Sequence, residues 1–493
     1  MSVIDVAPGV SVWNSTENAD RHILFGCPPE VIKHLMLRDL PSPDVIVLPD
    51  TPYRFDVLQN CTEFPLYSYL FVEGHFFKSG KKLTIVGTPT HLKANRRLLR
   101  LTLVGPTRKE YASIGDSHWF DELYRESRAL SVKNKDGEEY TIDDFVEFVP
   151  FQNGVATLPD GQQIEHIGVD RYRVAGEKID INFKEPQDPP YDLRSDFVTT
   201  MPMRLGVSVL GGASGFIPDK PCSSLLLHYN SEHMLIDCPP YLEQALNARG
   251  VSTTEIRSIY LTHIHDDHCN IFPLLRLSNK VKLLATKEIF WMAMQKLSLQ
   301  TLMPVEYLSE MFEFVEVKPY EVTEFYGISI EPHYTVHSIP TIGATFRMKD
   351  GPVSRSVVFI GDNKSFKDIE QMVADDIVRR DKFETIQRLY TERHDVLFAD
   401  GGMGILHGDP RDALKSQSDR IVFMHLDSLP AEFDATFSYA VAGKRYDIIH
   451  SNHGSHDAYL IRTMHILGDA FRNISHGWGT ALMNSFEIET FNA

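Results

Sequence analysis

Thr262-His-Ile-His-Asp-Asp-His268 follows directly on the apolar run Ile256-Arg-Ser-Ile-Tyr-Leu261, and this HxHxDH stretch decides how the chain reads. In extended backbone leaving a strand, His263 and His265 stand two residues apart and face the same side. Asp267 and His268 fall on the following turn and point elsewhere. One loop can then serve two adjacent metal ions. Neutral imidazole and carboxylate are ligands for divalent zinc, iron and manganese, and two such ions a few ångströms apart make a hydrolytic clamp. The plainer alternative is a polar loop whose histidines cap neighbouring backbone groups. Ligand-type residues at 263, 265, 267 and 268 together weigh against it.

Further motifs follow in order. Upstream lies Leu210-Gly-Gly-Ala-Ser-Gly-Phe-Ile-Pro218, followed by Ser223-Ser-Leu-Leu-Leu227 and a hairpin that ends near Asp237. Downstream come His333-Tyr-Thr-Val-His337-Ser-Ile-Pro-Thr-Ile-Gly343, Phe359-Ile-Gly-Asp362, Phe398-Ala-Asp400-Gly-Gly-Met-Gly-Ile-Leu-His407-Gly-Asp-Pro410 and Val422-Phe-Met-His425. Over about residues 203–430 this set resembles the metallo-β-lactamase superfamily, in its ribonuclease Z and cyclic-nucleotide phosphodiesterase branch. The resemblance implies an α/β fold, a four-layer αββα sandwich with the metals at one edge. It implies His263, His265 and His337 on one metal, Asp267, His268 and His425 on the other, and Asp362 bridging both. Two divalent ions are expected, zinc first, with iron or manganese as alternatives. His453 or His456 competes with His425 for the last ligand position.

The same resemblance gives His407, steered by Asp400, the role of general acid facing a scissile phosphate, and gives Asp267 a part in holding the catalytic pair of ions. This chain has Asp400 where the branch usually carries glutamate, and Gly408-Asp409 where it carries small hydroxylated residues. The alternative is that His407 caps the helix that begins after Pro410. The implied reaction is hydrolysis of a phosphodiester by a hydroxide shared between the two metals, with a cyclic nucleotide as the leading substrate. Two other readings stay open: a di-iron redox or oxygen-binding protein on the same fold, and a non-catalytic metal-binding sensor.

Composition narrows the partners. The chain has 493 residues, long enough for more than one domain, and its 67 acidic against 49 basic residues leave a net charge of −18. Such a field opposes binding to a polyanion, since duplex affinity rests on lysine and arginine neutralising phosphates. A small phosphodiester is therefore expected rather than long nucleic acid. The 5 cysteines are odd in number and scattered, which argues against a disulfide framework and for a reducing compartment, the cytoplasm. No long apolar run and no basic leader are seen, so no membrane partner is expected. A homodimer is compatible with the sequence.

The N-terminal third holds an internal echo. His22-Ile-Leu-Phe-Gly-Cys-Pro-Pro-Glu-Val-Ile-Lys-His-Leu35 lines up with His233-Met-Leu-Ile-Asp-Cys-Pro-Pro-Tyr-Leu-Glu-Gln-Ala-Leu246. Asp50-Thr-Pro-Tyr-Arg-Phe55 then stands where the later copy has its metal motif, and Pro52, Arg54 and Phe55 supply no ligands. Residues 1–110 accordingly read as a degenerate half of the same fold, with a chance likeness around a Cys-Pro-Pro turn as the alternative. Turn signals such as Lys133-Asn-Lys-Asp-Gly137 and Pro159-Asp-Gly161 make 111–200 a β-rich insertion and linker. Residues 201–435 form the catalytic domain, and 436–493 a C-terminal extension packing on it. Residues 364–395 show helical spacing and read as an amphipathic surface helix, or alternatively a lid or dimer arm.

Overall fold

A computed structural model describes residues 3–15, 21–193, 203–277, 279–433 and 435–450. Apolar runs such as Leu225-Leu226-Leu227, buried on both faces, build two mixed sheets of seven strands. The first runs in the order Phe312–Glu316, Val281–Ala285, Ser258–Tyr260, Glu232–Ile236, Ser224–Tyr229, Met203–Gly211, Arg445–His450. The second runs Thr323–Phe325, Ile328–Tyr334, Ile342–Asp350, Val353–Phe359, Val396–Asp400, Ile421–Met424, Ser438–Tyr439. Their inner faces meet through pairs such as Tyr260 on Phe346, ring centroids 5.5 Å apart, and Phe398 on Tyr446 at 5.4 Å. Alternation then sends Val358 and Ile360 to the opposite face, where the helices Phe366–Ala374 and Arg380–Thr391 cover them. The 364–395 segment is thus two helices packed on a sheet, with Ile369, Phe383 and Ile386 in a core, rather than a lid.

Parallel pairing gathers loops at one edge. Strands Ser258–Tyr260, Val353–Phe359, Val396–Asp400 and Ile421–Met424 each have a parallel neighbour, so the loops leaving their carboxyl ends converge. The strand 438–439 and the strand 445–450 are integral members of the two sheets. The sandwich therefore runs past the expected boundary at 435. The rest of the expected C-terminal extension lies outside the described residues, as do His453 and His456.

The N-terminal region is an α/β unit. Its six-stranded sheet follows the order Val3–Ala7, Val10–Asn14, His22–Phe25, Val45–Val47, Leu83–Gly87, Val146–Pro150. The first three strands are antiparallel and the others parallel, the sequence of pairings also found from Met203–Gly211 to Phe312–Glu316 in the first sheet of the sandwich. The local geometry repeats too. Cys27 pairs with Asn60 through an isolated parallel backbone contact, as Cys238 does with Cys269, and each thiol, Cys27 and Cys238, donates to a backbone carbonyl 3.1 Å away, of Cys61 and Asn270. Glu30 and Tyr241, at φ 57° and 54°, are the left-handed residues that open the helices Val31–Met36 and Leu242–Asn247.

The 111–200 segment differs from its expectation. Helices Arg108–Ile114 and Phe120–Ala129 fill its first part, and the strand Val146–Pro150 belongs to the N-terminal sheet. Only Val155–Thr157, Gln163–Gly168, Arg171–Val174 and Glu177–Asp180 form the β-rich piece, whose Ile164 and Tyr172 pack on Phe25 and Val47. Arg54 ties this piece down, donating to the Asn182 side chain and to the Phe183 carbonyl. Arg54→Ala should lower unfolding free energy by about 1–3 kcal/mol with metal content unchanged, as denaturant titration and elemental analysis of one preparation will report. Among the described residues, no helix is long and apolar enough to cross a membrane.

Candidate metal centre

Strand ends position every donor. The loop after Ser258–Tyr260 carries His263, His265, Asp267 and His268, and the turn after Ile328–Tyr334 carries His337. The turn after Val353–Phe359 carries Asp362, where Gly361 at φ 78° leads the chain in and a Cβ would lie 2.9 Å from the Ile342 carbonyl oxygen. His425 ends the strand Ile421–Met424 at φ 64°, a left-handed conformation that costs an ordinary residue about 1–2 kcal/mol. The hydrogen bond from its N–H to the Gly212 carbonyl, 2.8 Å, holds it there. Strain kept at a donor residue marks a position fixed by its surroundings.

Two groups of donor atoms result. His265 Nδ1 lies 3.1 Å from His263 Nε2 and 3.2 Å from His337 Nε2. A tetrahedral ion bound at about 2.0–2.1 Å separates its ligands by about 3.3 Å, so this trio fits one ion. In the second group His268 Nε2 is 3.0 Å from His425 Nε2, and Asp267 Oδ2 is 3.7 Å and 3.8 Å from the same two atoms. Asp362 stands between the groups. Its Oδ2 is 3.9 Å from His263 Nε2 and 3.8 Å from His337 Nε2, while its Oδ1 is 3.5 Å from His268 Nε2. That Oδ1 is buried without a hydrogen bond, which a cation in the gap would relieve.

Surrounding groups set which nitrogen faces inward. The Thr102 carbonyl lies 3.2 Å from His265 Nε2 and accepts its proton, leaving Nδ1 for the cluster. The buried Asp237 carboxylate, 2.7 Å from His268 Nδ1, does the same for Nε2, and it also accepts from Thr262 N and Oγ1. Burial and neighbouring imidazoles hold His263 and His337 well below the usual histidine range, and burial takes His265 down to about 3. Neutral imidazoles are what a metal requires. Around His268 burial opposes charge, yet Asp362, Asp267 and Asp237 outweigh it and lift the group to about 10. At His268 the three carboxylates thus favour a positive charge.

His407 sits beside this cluster. Its Nδ1 is 2.8 Å from Asp400 Oδ2 and 3.8 Å from Asp362 Oδ2. Burial disfavours its charge, but Asp400 and Asp362 prevail and hold it at about 9. The Asp400 carboxylate is itself buried and kept below its ordinary range chiefly by His407, with the Gly402 and Asn363 N–H groups donating to it. The helix after Pro410 is capped by Asp409, which accepts from Arg411 N, so the capping alternative for His407 does not hold. All of the expected site residues converge: His263, His265, Asp267, His268, His337, Asp362, Asp400, His407 and His425.

Sequence reasoning missed the support that the N-terminal region gives this loop. Glu63 accepts from the Asp266 N–H, and the buried Lys296 pairs with both Glu63, at 3.2 Å, and Asp266, at 2.7 Å. The Lys296 ammonium also donates to the Ile264 carbonyl, between the two loop histidines. A backbone carbonyl such as that of Thr102 leaves no sequence signal. Glu63, an acid in an otherwise apolar helix start, was the one readable hint.

A family model described as anti-Pycsar protein Apyc1 matches residues 205–409. A Dictyostelium discoideum protein named cGMP-dependent 3′,5′-cGMP phosphodiesterase A is 24% identical over 349 residues, 66% of this chain and 39% of that protein. Ribonuclease Z of Methanopyrus kandleri is 27% identical over 133 residues, covering 27% of this chain and 46% of its own. The chain thus spans less than half the length of these relatives. Among solved structures, zinc-bound PqqB from Methylobacterium extorquens aligns at TM-score 0.38 with 15% identity, over 49% of this chain and 100% of its own. The two-sheet α/β sandwich, about half of the chain, holds the stretch that matches the family model, and an additional α/β region precedes it.

Proposed function

We propose that this chain is a metal-dependent phosphodiesterase acting on a small phosphodiester of the cyclic-nucleotide class. The observation that carries the reading is the pair of donor clusters joined by Asp362, with the His407–Asp400 couple beside them. The names of its relatives and the family model point the same way. His263, His265 and His337 would hold one divalent ion, Asp267, His268 and His425 a second, and Asp362 would bridge them. Zinc, iron or manganese in such a set supplies Lewis acidity for phosphoester hydrolysis.

The chain's own groups do the rest. Thr102 and Asp237 fix the tautomers of His265 and His268, so their lone pairs face inward. Protonated His407 donates its Nδ1–H to Asp400, which leaves Nε2–H to be given to the departing alkoxide. The N-terminal region is, on this reading, a half copy of the same fold that has lost its ligands and is kept for packing against the metal loop. The net charge of −18 favours a single nucleotide over a polyanion.

Metal analysis of the purified chain, with a screen of cyclic nucleotides, linear diesters and lactones, tests the proposal. Ring opening of a cyclic nucleotide, lost on chelation and restored by metal, is the expected result. Turnover of lactones alone, or of no ester by the fully loaded protein, overturns it. His407→Ala should slow turnover about 10²–10⁴-fold at unchanged metal content. Loss of metal in that variant would instead make His407 a ligand.

A further inference from the structure

From the metal loop outward, aromatic rings of the N-terminal region form a continuous row. The Tyr67 ring stands edge-on to His265, centroids 6.1 Å apart. Phe71 follows at 6.0 Å from Tyr67, and Phe77 at 6.1 Å from Phe71 in a stacked arrangement. Phe64 flanks the row, 6.0 Å from Tyr67 and 4.9 Å from Phe216 of the glycine-rich loop. That second contact depends on Gly215, since a Cβ there would fall 1.9 Å from the Phe64 ring.

We propose that this row is the subsite for the planar base of the ester, supplied by the N-terminal region to the metal centre of the sandwich. The inference rests on the phosphodiesterase reading. Rings that merely seal a seam become buried, whereas Phe71 is 47 % and Phe77 48 % exposed. Tyr67 is half-buried, and its hydroxyl is wholly covered, so the area it shows is not its polar end. A single exposed ring needs no explanation, but a contiguous set that begins at a metal-donor imidazole does. Phe71 lies in the turn Ser68–Val72, which is π-helical, a distortion frequent at functional sites. Base and phosphate of one nucleotide are joined by a single sugar, so a base laid on Tyr67 or Phe71 and a phosphate at the adjoining donors suit the same molecule. Stacking on aromatic faces tolerates any base, which fits a site showing no other base-reading motif.

The test compares kcat/KM of the metal-loaded full chain for cyclic AMP and cyclic GMP with that for base-free ribose 3′,5′-cyclic phosphate. In Phe71→Ala the nucleotide-to-base-free ratio should fall about tenfold, through KM rather than kcat, at wild-type metal content. Phe71→Trp should restore it. An unchanged ratio in Phe71→Ala, or a loss equal for both substrate types, overturns the subsite while leaving the phosphodiesterase reading intact. If the wild-type chain opens no cyclic phosphate at all, the phosphodiesterase reading fails and the subsite with it.

Discussion

If the centre holds two metal ions as proposed, alanine at Asp267 should remove one of them and, with it, nearly all turnover. Asp267 Oδ2 faces His268 and His425, and burial against it is overcome by those imidazoles, which keep the carboxylate charged far below its ordinary range. Removal of that one negative group leaves a two-histidine remnant beside Asp362, too weak to hold an ion of its own. Since a two-metal clamp works on both the attacking and the leaving oxygen, loss of one ion should cost at least about 10²–10³-fold in rate, the order seen when one electrostatic stabiliser is deleted. Elemental analysis should read near one metal per chain where the wild type reads two. Two metals retained with low turnover would move Asp267 from ligand to another role.

Lys296→Met carries the second large effect, on stability. Lys296 is 1 % exposed and faces the carboxylates of Glu63 and Asp266, across the boundary between the N-terminal region and the metal loop. Burial raises Glu63 to about 8 even with the ammonium in place, so near neutral pH the closer Asp266 carboxylate, 2.7 Å away, is the charge that Lys296→Met leaves without its cation. Removing one member of a buried ion pair typically costs about 3–5 kcal/mol, because the other charge stays buried and unpaired. Denaturant unfolding should show a loss of that size, and adding Asp266→Asn should recover part of it. A Lys296→Met protein as stable as the wild type would show that the triad contributes nothing to joining the two regions.

Closely spaced donor-type residues on one strand-end loop make the cluster legible in the sequence. His263, His265, Asp267 and His268 advertise themselves through spacing, and Asp362 and His425 through the apolar runs before them. The left-handed backbone of His425 and the Thr102 carbonyl on His265 were invisible, since one is a dihedral and the other a main-chain atom. The Cys-Pro-Pro echo was legible because the same residues impose the same turn twice, before Glu30 and before Tyr241. The helices at Arg108–Ile114 and Phe120–Ala129 went unread for the opposite reason. Dense turn signals at 133–161 coloured the whole segment, although Thr107 and Glu110 spell a capping box three residues apart.

The hydrogen bond between Thr102 and His265 also bears on laboratory practice. A truncated chain that starts at residue 203 keeps every proposed ligand and motif, yet it lacks the Thr102 carbonyl that orients His265. Chimeras and minimal fragments built on the sandwich alone would inherit a loop whose second histidine is free to present the wrong nitrogen.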